Sequence, residues 1–443
     1  MTLEAGEKIQ GENSGRTFTV KKRIGEGTQG EVYLVASGKG EYACKWYKPA
    51  QATEEQRAAI RGLVRSGPPR GAAGARFIWP LDLVTAPNSR LFGYIMKLID
   101  TSRFAVLGEV QAGLKPPPSY RNLCIISYRL ANSYRALHLN GYCYRDISDG
   151  NLMFDPATGD VLICDNDNVG VNRQSCSQVW GTMEFMAPEL IVGRCDPSTE
   201  TDLHSLAVLL FNLWCWHHPF HGEMEYNLRV WDIPAKKRIY GEDPVFIFDP
   251  KDGRNRPPPD PAYTTVVKRW ESCPRLLQEI FIRAFTVGLK NPSQRVTEGE
   301  WQRAFLQLED AIVLCLKCRA ENFQEPAVPA KNCWHCHTPL PVHPRILIRG
   351  HAGDHYLVLS EGSSLLRRHF TRKIPEEDEG AILGRVTRHP DDPSLWGIRN
   401  LTQSSWLATL PDGRRIEIPP QKAVPLNPGI HLTVEGSEIE IAG

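Results

Sequence analysis

The chain has 443 residues, and 52 Lys and Arg against 51 Asp and Glu leave a formal charge of +1, so no long-range field draws it to nucleic acid or to an anionic membrane. A single hydrophobic core stops growing near ~250–300 residues, which predicts one large domain followed by one or two small ones. Of the twelve cysteines, eight are scattered and four fall in two CxxC pairs, a usage that suits a reducing compartment and a metal site rather than a disulfide-bonded secreted chain.

The opening residues Met1 to Glu7 carry neither the basic nor the apolar region of a secretory signal, which argues against export and for a cytoplasmic protein. The longest apolar stretch, Leu203 to Trp216, contains His204 and Asn212 and is shorter than the ~20 residues needed to cross a bilayer. It reads as a buried helix.

From Phe18 to Lys48, runs such as Phe18-Thr19-Val20 and Glu31-Val32-Tyr33-Leu34-Val35 alternate with glycines, which predicts antiparallel strands. Between two of these strands lies Gly25-Glu26-Gly27-Thr28-Gln29-Gly30-Glu31-Val32. This GxGxxGxV pattern lets backbone approach phosphates and sets a valine over an adenine ring. Three glycines in a strand-turn-strand also make a plain hairpin, while a dinucleotide fold would need a following helix, which is absent. Lys45, in Ala43-Cys44-Lys45, is where a strand lysine would reach the α- and β-phosphates. Its alternative is an ordinary surface lysine on an edge strand.

Thr53-Glu54-Glu55-Gln56 reads as a capping box that opens a helix with Ala59, Ile60, Leu63 and Val64 on one face. Glu55 is the expected carboxylate partner of Lys45, although the helix dipole favours acids in a first turn regardless of function. Strand-like runs follow at Phe77-Ile78-Trp79 and from Gly93 to Leu98. Beyond Pro116-Pro117-Pro118 a helix is predicted from Tyr120 to His138. The chain then stays mainly helical to about Leu316, interrupted by a loop-rich interval from His221 to Cys273. Strands first and helices afterwards predict an α+β domain of two lobes.

Inside the helical part stands Tyr144-Arg145-Asp146-Ile147-Ser148-Asp149-Gly150-Asn151. Asp146 and Asn151 have the spacing of a kinase catalytic loop, where the aspartate accepts a hydroxyl proton and the asparagine holds a metal ion. Asp165, in Cys164-Asp165-Asn166-Asp167, follows where a carboxylate would chelate Mg²⁺ bridging nucleotide phosphates. Met186-Ala187-Pro188-Glu189 then closes an activation segment. Each acid alone reads as a loop charge or a helix cap, but the ordered series points to phosphoryl transfer.

Through these motifs the chain resembles the eukaryotic-type Ser/Thr protein kinases from about residue 12 to about residue 314, with an N-lobe near 12–97 and a C-lobe near 98–314. The resemblance implies a bilobal fold, ATP with Mg²⁺ or Mn²⁺ as cofactors, and a protein substrate. It places Ile24, Gly25, Gly27, Gly30, Val32, Ala43 and Lys45 around the nucleotide, with Met96 as gatekeeper, Lys97 and Leu98 as hinge, and Met153 as the pocket floor. It makes Asn151 and Asp165 the metal ligands, Asp202 the support of the catalytic loop and Arg295 the partner of Glu189. Three positions depart from the family pattern: Tyr144 replaces a histidine, Ser148 a lysine, and Asp165-Asn166-Asp167 stands for Asp-Phe-Gly. Arg145 is kept, so Ser175, Ser177 and Thr182 are candidate phosphate acceptors for ordering the activation segment.

Cys315-x-x-Cys318 and Cys333-x-x-Cys336 lie fourteen residues apart, a spacing that brings four thiolates around tetrahedral Zn²⁺ in a module spanning about 315–340. A redox role for one pair is the alternative, but neither pair opens a helix after a strand. From 345 to 443, alternating runs such as Arg345-Ile346-Leu347-Ile348 between Gly and Pro turns predict a small β-sandwich. Leu383-Gly384-Arg385 and the stretch from Trp396 to Thr402 resemble an FHA-like domain, which implies phosphopeptide binding, though the usual Ser-x-x-His element is not recognisable. Within this part Arg367-Arg368-His369 and Arg372-Lys373 precede Glu376-Glu377-Asp378-Glu379 and read as a solvated loop. The three-part layout resembles bacterial kinases associated with a von Willebrand A-type protein and a metal-dependent phosphatase. A nucleotide-binding pseudokinase scaffold remains the alternative reading of the first 314 residues.

Overall fold

Period-two alternation in the first hundred residues builds six antiparallel strands: β1 (Lys8–Gly11), β2 (Thr17–Glu26), β3 (Gly30–Ser37), β4 (Gly40–Tyr47), β5 (Asp82–Thr85) and β6 (Phe92–Lys97). In this computed structural model they close into a barrel of order β1-β2-β3-β4-β6-β5. The structure describes residues 2–442 except 39, 88, 175–180, 326–331, 349–354, 371–379, 390, 393 and 394. Ser175, Ser177, Arg372, Lys373 and the acidic run 376–379 therefore lie outside the described residues.

The packing divides into two units, one of Met1–Pro118, Ile126–Glu271 and Gln278–Gln302, the other of Ser119–Ile125, Ser272–Leu277 and Arg303–Gly443. In the first unit, the barrel core is filled by Ile9, Phe18, Val20, Tyr33, Val35, Cys44, Trp46, Val84 and Ile95. Strand β4 is buried on both faces. Cys44 and Trp46 enter the barrel core, so alternation sends Ala43, Lys45 and Tyr47 to the opposite side. There Lys45 and Tyr47 meet polar groups from a distant loop.

Helix α1 (Glu54–Ser66) begins at Thr53, whose hydroxyl accepts from the Gln56 amide at 3.1 Å. The reciprocal half of the capping box is not made, because the Gln56 side chain turns instead toward Tyr47. Ile60 and Leu63 are its buried residues, while Ala59 is exposed. A short helix α2 (Gly71–Ala75) follows. Phe77-Ile78-Trp79 is not a strand: Phe77 makes one isolated bridge to Ile163. The strand in this region is β5, whose short Asp-Leu-Val-Thr sequence gives little alternation to read. Buried Asp82 there ties down an early turn by accepting from the amides of Asn13 and Ser14 at 2.9 and 3.2 Å.

The helical part holds α3 (Leu107–Gln111) and α4 (Tyr120–Leu139), then four short strands, β7 (Tyr142–Cys143), β8 (Leu152–Phe154), β9 (Val161–Ile163) and β10 (Gly170–Val171). The pairs β8–β9 and β7–β10 are antiparallel. They bracket the two loops that carry the candidate chemistry. Helices α5 (Pro188–Ile191) and α6 (Thr199–Cys215) follow, and α6 is buried along nearly its whole length. The interval 221–273, read as loop-rich, contains short helices such as Glu223–Tyr226 and Thr264–Ser272. Among the described residues no helix is long and apolar enough to cross a membrane.

The second unit contains both CxxC pairs and the C-terminal strands. A hairpin of Ile312–Leu314 and Glu321–Phe323 carries the first pair. From Arg345 onward, a six-stranded and a four-stranded antiparallel sheet share one apolar core, with Ile346, Leu357, Leu432 and Ile441 from one sheet and Leu383, Val386, Ile398 and Val424 from the other. Two sheets closing on a common core is the arrangement that alternating strands of this length favour.

Gly93 shows how closely the barrel holds β4. A Cβ there would stand 2.3 Å from the Lys45 carbonyl oxygen and 3.1 Å from the Trp46 Cα, so β6 lies against β4 only with hydrogen at that position. Gly93→Ala is expected to destabilise the fold by about 1–3 kcal/mol, read as a lowered urea midpoint.

Candidate active site

Lys45 is the centre of the polar cluster on the outer face of β4. Its side chain is 5% exposed, and a buried ammonium is tolerable only when paired and hydrogen-bonded. It donates to Gln29 Oε1 and Asp165 Oδ1 at 2.8 Å each, and to Asp167 Oδ2 and Oδ1 at 2.9 and 3.1 Å. Burial alone would drive the ammonium pKa down, but Asp167 and Asp165 outweigh it and raise it above the ordinary lysine value. Tyr47 donates its hydroxyl to Asp167 Oδ2, and Gln56 donates to the Tyr47 oxygen at 3.0 Å.

The helix carboxylate expected to pair with Lys45 does not occupy that place. Glu55 is exposed in the first turn of α1, and the ion-pair partners of Lys45 are Asp165 and Asp167. The α1 residue that faces the cluster is Gln56, one position on and about a hundred degrees around the helix. Sequence reasoning passed over Asp167 because the family pattern has glycine there.

Asp165 adopts a left-handed backbone, φ 56°, at the start of the short turn Asn166–Asn168, and such strain in a non-glycine residue marks a locally over-determined site. Burial and the neighbouring Asp167 raise its pKa, against the pull of Lys45. Asn166, at the position where the family has phenylalanine, is fully buried and donates to the Ile163 carbonyl at 2.9 Å. It anchors the turn by a hydrogen bond rather than by apolar packing.

Asp146 is fixed from two sides. Asn151 Nδ2 donates to its carboxylate at 3.0 Å and to its carbonyl at 2.9 Å, while Thr182 donates its amide at 3.0 Å and its hydroxyl at 3.2 Å to the other carboxylate oxygen. Burial raises the Asp146 pKa, and the bonds from Thr182 and Asn151 counter it in part. Thr182 is thus a partner of Asp146, and a phosphate on its hydroxyl would set two anions against each other. With its nitrogen turned to Asp146, Asn151 keeps its amide oxygen as the donor for a hard cation, and Asp165 supplies a carboxylate, a donor set that fits Mg²⁺.

The loop that carries Asp146 hangs from Asp202. Its carboxylate accepts the amides of Tyr144 at 2.5 Å and Arg145 at 3.0 Å, and Arg145 is held at φ 75°. Tyr144 is fully buried, donates its hydroxyl to the Cys164 carbonyl next to Asp165, and packs edge-on to Tyr134 with centroids 5.5 Å apart. One residue therefore links the loop of Asp146 to the segment of Asp165. His138 bonds Asp202 Oδ2 at 2.9 Å through Nε2 and Glu298 through Nδ1. Burial disfavours its charge, but the two carboxylates prevail and raise it to about 9. Further on, buried Arg295 grips Glu189 with two parallel bonds of 2.7 and 2.8 Å, which fixes the end of the activation segment.

The remaining nucleotide candidates sit around this centre. Gly25 pairs with Val32, Val32 with Lys45, and Ala43 with Met96, so four neighbouring strands, β2, β3, β4 and β6, bring them together. Ile24 is 44% exposed at the barrel rim. Lys97 is exposed, while Leu98 and Met153 are half-buried. In the second unit, the Sγ atoms of Cys315, Cys318, Cys333 and Cys336 all lie within 4.8 Å of one another. Cys315–Cys336 and Cys318–Cys333 are 3.6 Å apart, near the ~3.8 Å edge of a tetrahedron with ~2.3 Å Zn–S bonds. Arg319 and His337, each just after a second cysteine, have φ of 62° and 57°. The two turns are thus alike, and the donor set fits zinc.

Residues 108–280 match the model of the protein kinase domain. The chain is similar to the Ser/Thr-protein kinase sck2 of Schizosaccharomyces pombe, 26% identical over 228 residues, covering 48% of this chain and 33% of that protein. It is similar also to Glycogen synthase kinase 1 of Pyricularia oryzae, 24% over 263 residues, covering 54% and 64%. Ribosomal protein S6 kinase alpha-4 of Homo sapiens is 25% identical over 260 residues, 54% of this chain and 31% of that one. The chain thus spans from about a third to just under two thirds of these relatives' lengths.

The raised pKa of His138 makes stability depend on pH. Its contribution is complete below the unfolded value near 6.5 and is lost as pH rises through about 9. Thermal melts should therefore show a loss on the order of 3 kcal/mol between pH ~7 and ~10. His138→Gln should be less stable at pH 7 and lack that slope.

Proposed function

We propose, from the match of residues 108–280 to the model of the protein kinase domain, that the chain transfers the γ-phosphate of MgATP to Ser or Thr hydroxyls of a protein substrate, itself included, in bacterial signalling. The kinase domain is read as 12–314, the zinc module as 315–340 and the FHA-like sandwich as 345–443. Asp146 takes the hydroxyl proton as attack begins, and its two fixed hydrogen-bond partners support that orientation. Lys45 and the loop Gly25, Gly27 and Gly30 position phosphates, while Ile24, Val32, Ala43, Met96, Lys97, Leu98 and Met153 enclose adenine. Asn151 and Asp165 hold Mg²⁺, which when bound neutralises phosphate charge.

The observation that carries this reading is the ordered series Lys45, Asp146, Asn151 and Asp165, with Lys45 bonded to Asp165 and Asp146 oriented by Asn151 and Thr182. A nucleotide-binding pseudokinase is the second reading. It draws on Tyr144, Ser148 and Asn166, since no lysine follows the base to share the γ-phosphate charge.

For the second unit we read the four cysteines as ligands of structural Zn²⁺, which supplies folding energy to a short connector. Arg385 is exposed on strand Ile382–Arg388 and is available to a phosphopeptide in the FHA-like reading. A von Willebrand A-type partner and a metal-dependent phosphatase rest on the resemblance in layout alone.

Incubation with MgATP and intact-mass measurement should show added phosphate on the chain or on an acceptor protein. Asp146→Asn should lower the rate by about 10²–10⁴-fold. Tight nucleotide binding without any transfer by wild type would favour the scaffold. Separately, purified chain should carry about one zinc, and Cys318→Ser should lose it together with several degrees of melting temperature.

A further inference from the structure

Lys45 has two carboxylate partners, and the proposed reaction leaves it only one. Asp165 is the metal ligand of that reading, so its carboxylate, which now bonds Lys45 at 2.8 Å, would be engaged by the cation. Asp167 has no such second duty. Its side chain is 0% exposed, both its oxygens lie within 3.1 Å of the Lys45 ammonium, and Oδ2 accepts from Tyr47 as well. Gln56, the α1 residue in this cluster, brings only a neutral amide, donating to the Tyr47 oxygen at 3.0 Å and toward the Asp167 carbonyl at 3.5 Å.

We propose that Asp167 is the positioning carboxylate that aims Lys45 at the nucleotide phosphates, in place of an acid on α1. The inference rests on the phosphoryl-transfer reading and assigns a residue to it. A buried ammonium needs a fixed counter-charge to hold one rotamer, because its flexible stem otherwise leaves several open. Asp167 provides it from the turn that begins at Asp165, so Lys45 and the metal-binding segment are set by one short stretch of chain. Helix α1 contributes hydrogen bonds to this arrangement and no charge, and displacement of α1 therefore leaves the ion pair in place.

The test uses the full chain with four variants: Asp167→Asn, Glu55→Gln, Gln56→Glu, and Asp167→Asn combined with Gln56→Glu. Phosphate transfer is measured with varied ATP, and MgADP affinity by calorimetry. Asp167→Asn should lower kcat/KM by about 10-fold or more and weaken MgADP by a similar factor, as expected when a close opposite charge is removed from a buried cation. Glu55→Gln should stay within about two-fold on both measures. The combined variant should regain most of the lost affinity, because it returns the carboxylate from α1, a rescue that a purely structural role of Asp167 would not give.

Loss of activity and affinity in Glu55→Gln, with Asp167→Asn near wild type, would overturn the proposal, and so would an absence of rescue. Should Asp167→Asn not fold, the exposed Glu55 still decides: a damaging Glu55→Gln refutes the assignment. If wild type binds MgADP but transfers nothing, the kinase reading falls and the affinities of the same variants still judge Asp167.

Discussion

A lysine ammonium buried behind a β-strand cannot stand alone. Taking Lys45 out of water obliges the chain to bring anions to it, and those anions come from a segment 120 residues further on. That single requirement joins the barrel to the helical part of the first unit. It also explains why Tyr47 and Gln56, neutral residues on β4 and α1, are drawn into hydrogen bonds around Asp167. The counter-charge is thus desolvated and oriented before anything binds, with both Asp167 oxygens on the ammonium.

The loop of Asp146 obeys the same rule with the signs reversed. Asp202 is a buried carboxylate, and two backbone amides plus His138 satisfy it. Tyr144 takes the room of a histidine in the family pattern, and its hydroxyl reaches the carbonyl beside Asp165 rather than Asp202. His138, from the end of α4, supplies an imidazole that bonds Asp202. Asn166 and Asp167, where the family pattern has phenylalanine and glycine, and Tyr144, where it has histidine, each make a hydrogen bond or ion pair in the buried surroundings of Asp165.

In the second unit, two different devices hold short strands. Four thiols converge where the hairpin 312–323 is too small to bury a core of its own. The strands after Arg345 need no such aid, because two sheets exclude water from a shared set of aliphatic side chains and Trp406.

By itself the sequence determined what local spacing and residue chemistry can specify. The alternating strands, the Thr53 cap, the buried helix read over 203–216 and found at Thr199–Cys215, and the cysteine pairs were legible because each depends on near neighbours. Asp146 with Asn151 was legible because five residues of loop fix their contact. Phe77–Trp79 misled because apolar residues without a partner strand look the same as those with one. Lys45 was identified, but not its counter-ion. Glu55 and Gln56 are adjacent in sequence and face different sides of one helix, and Asp167 reaches Lys45 only once β4 and the turn after β9 are brought together. Which charge neutralises a buried lysine is a property of three-dimensional proximity, and so it was the tertiary structure that decided it.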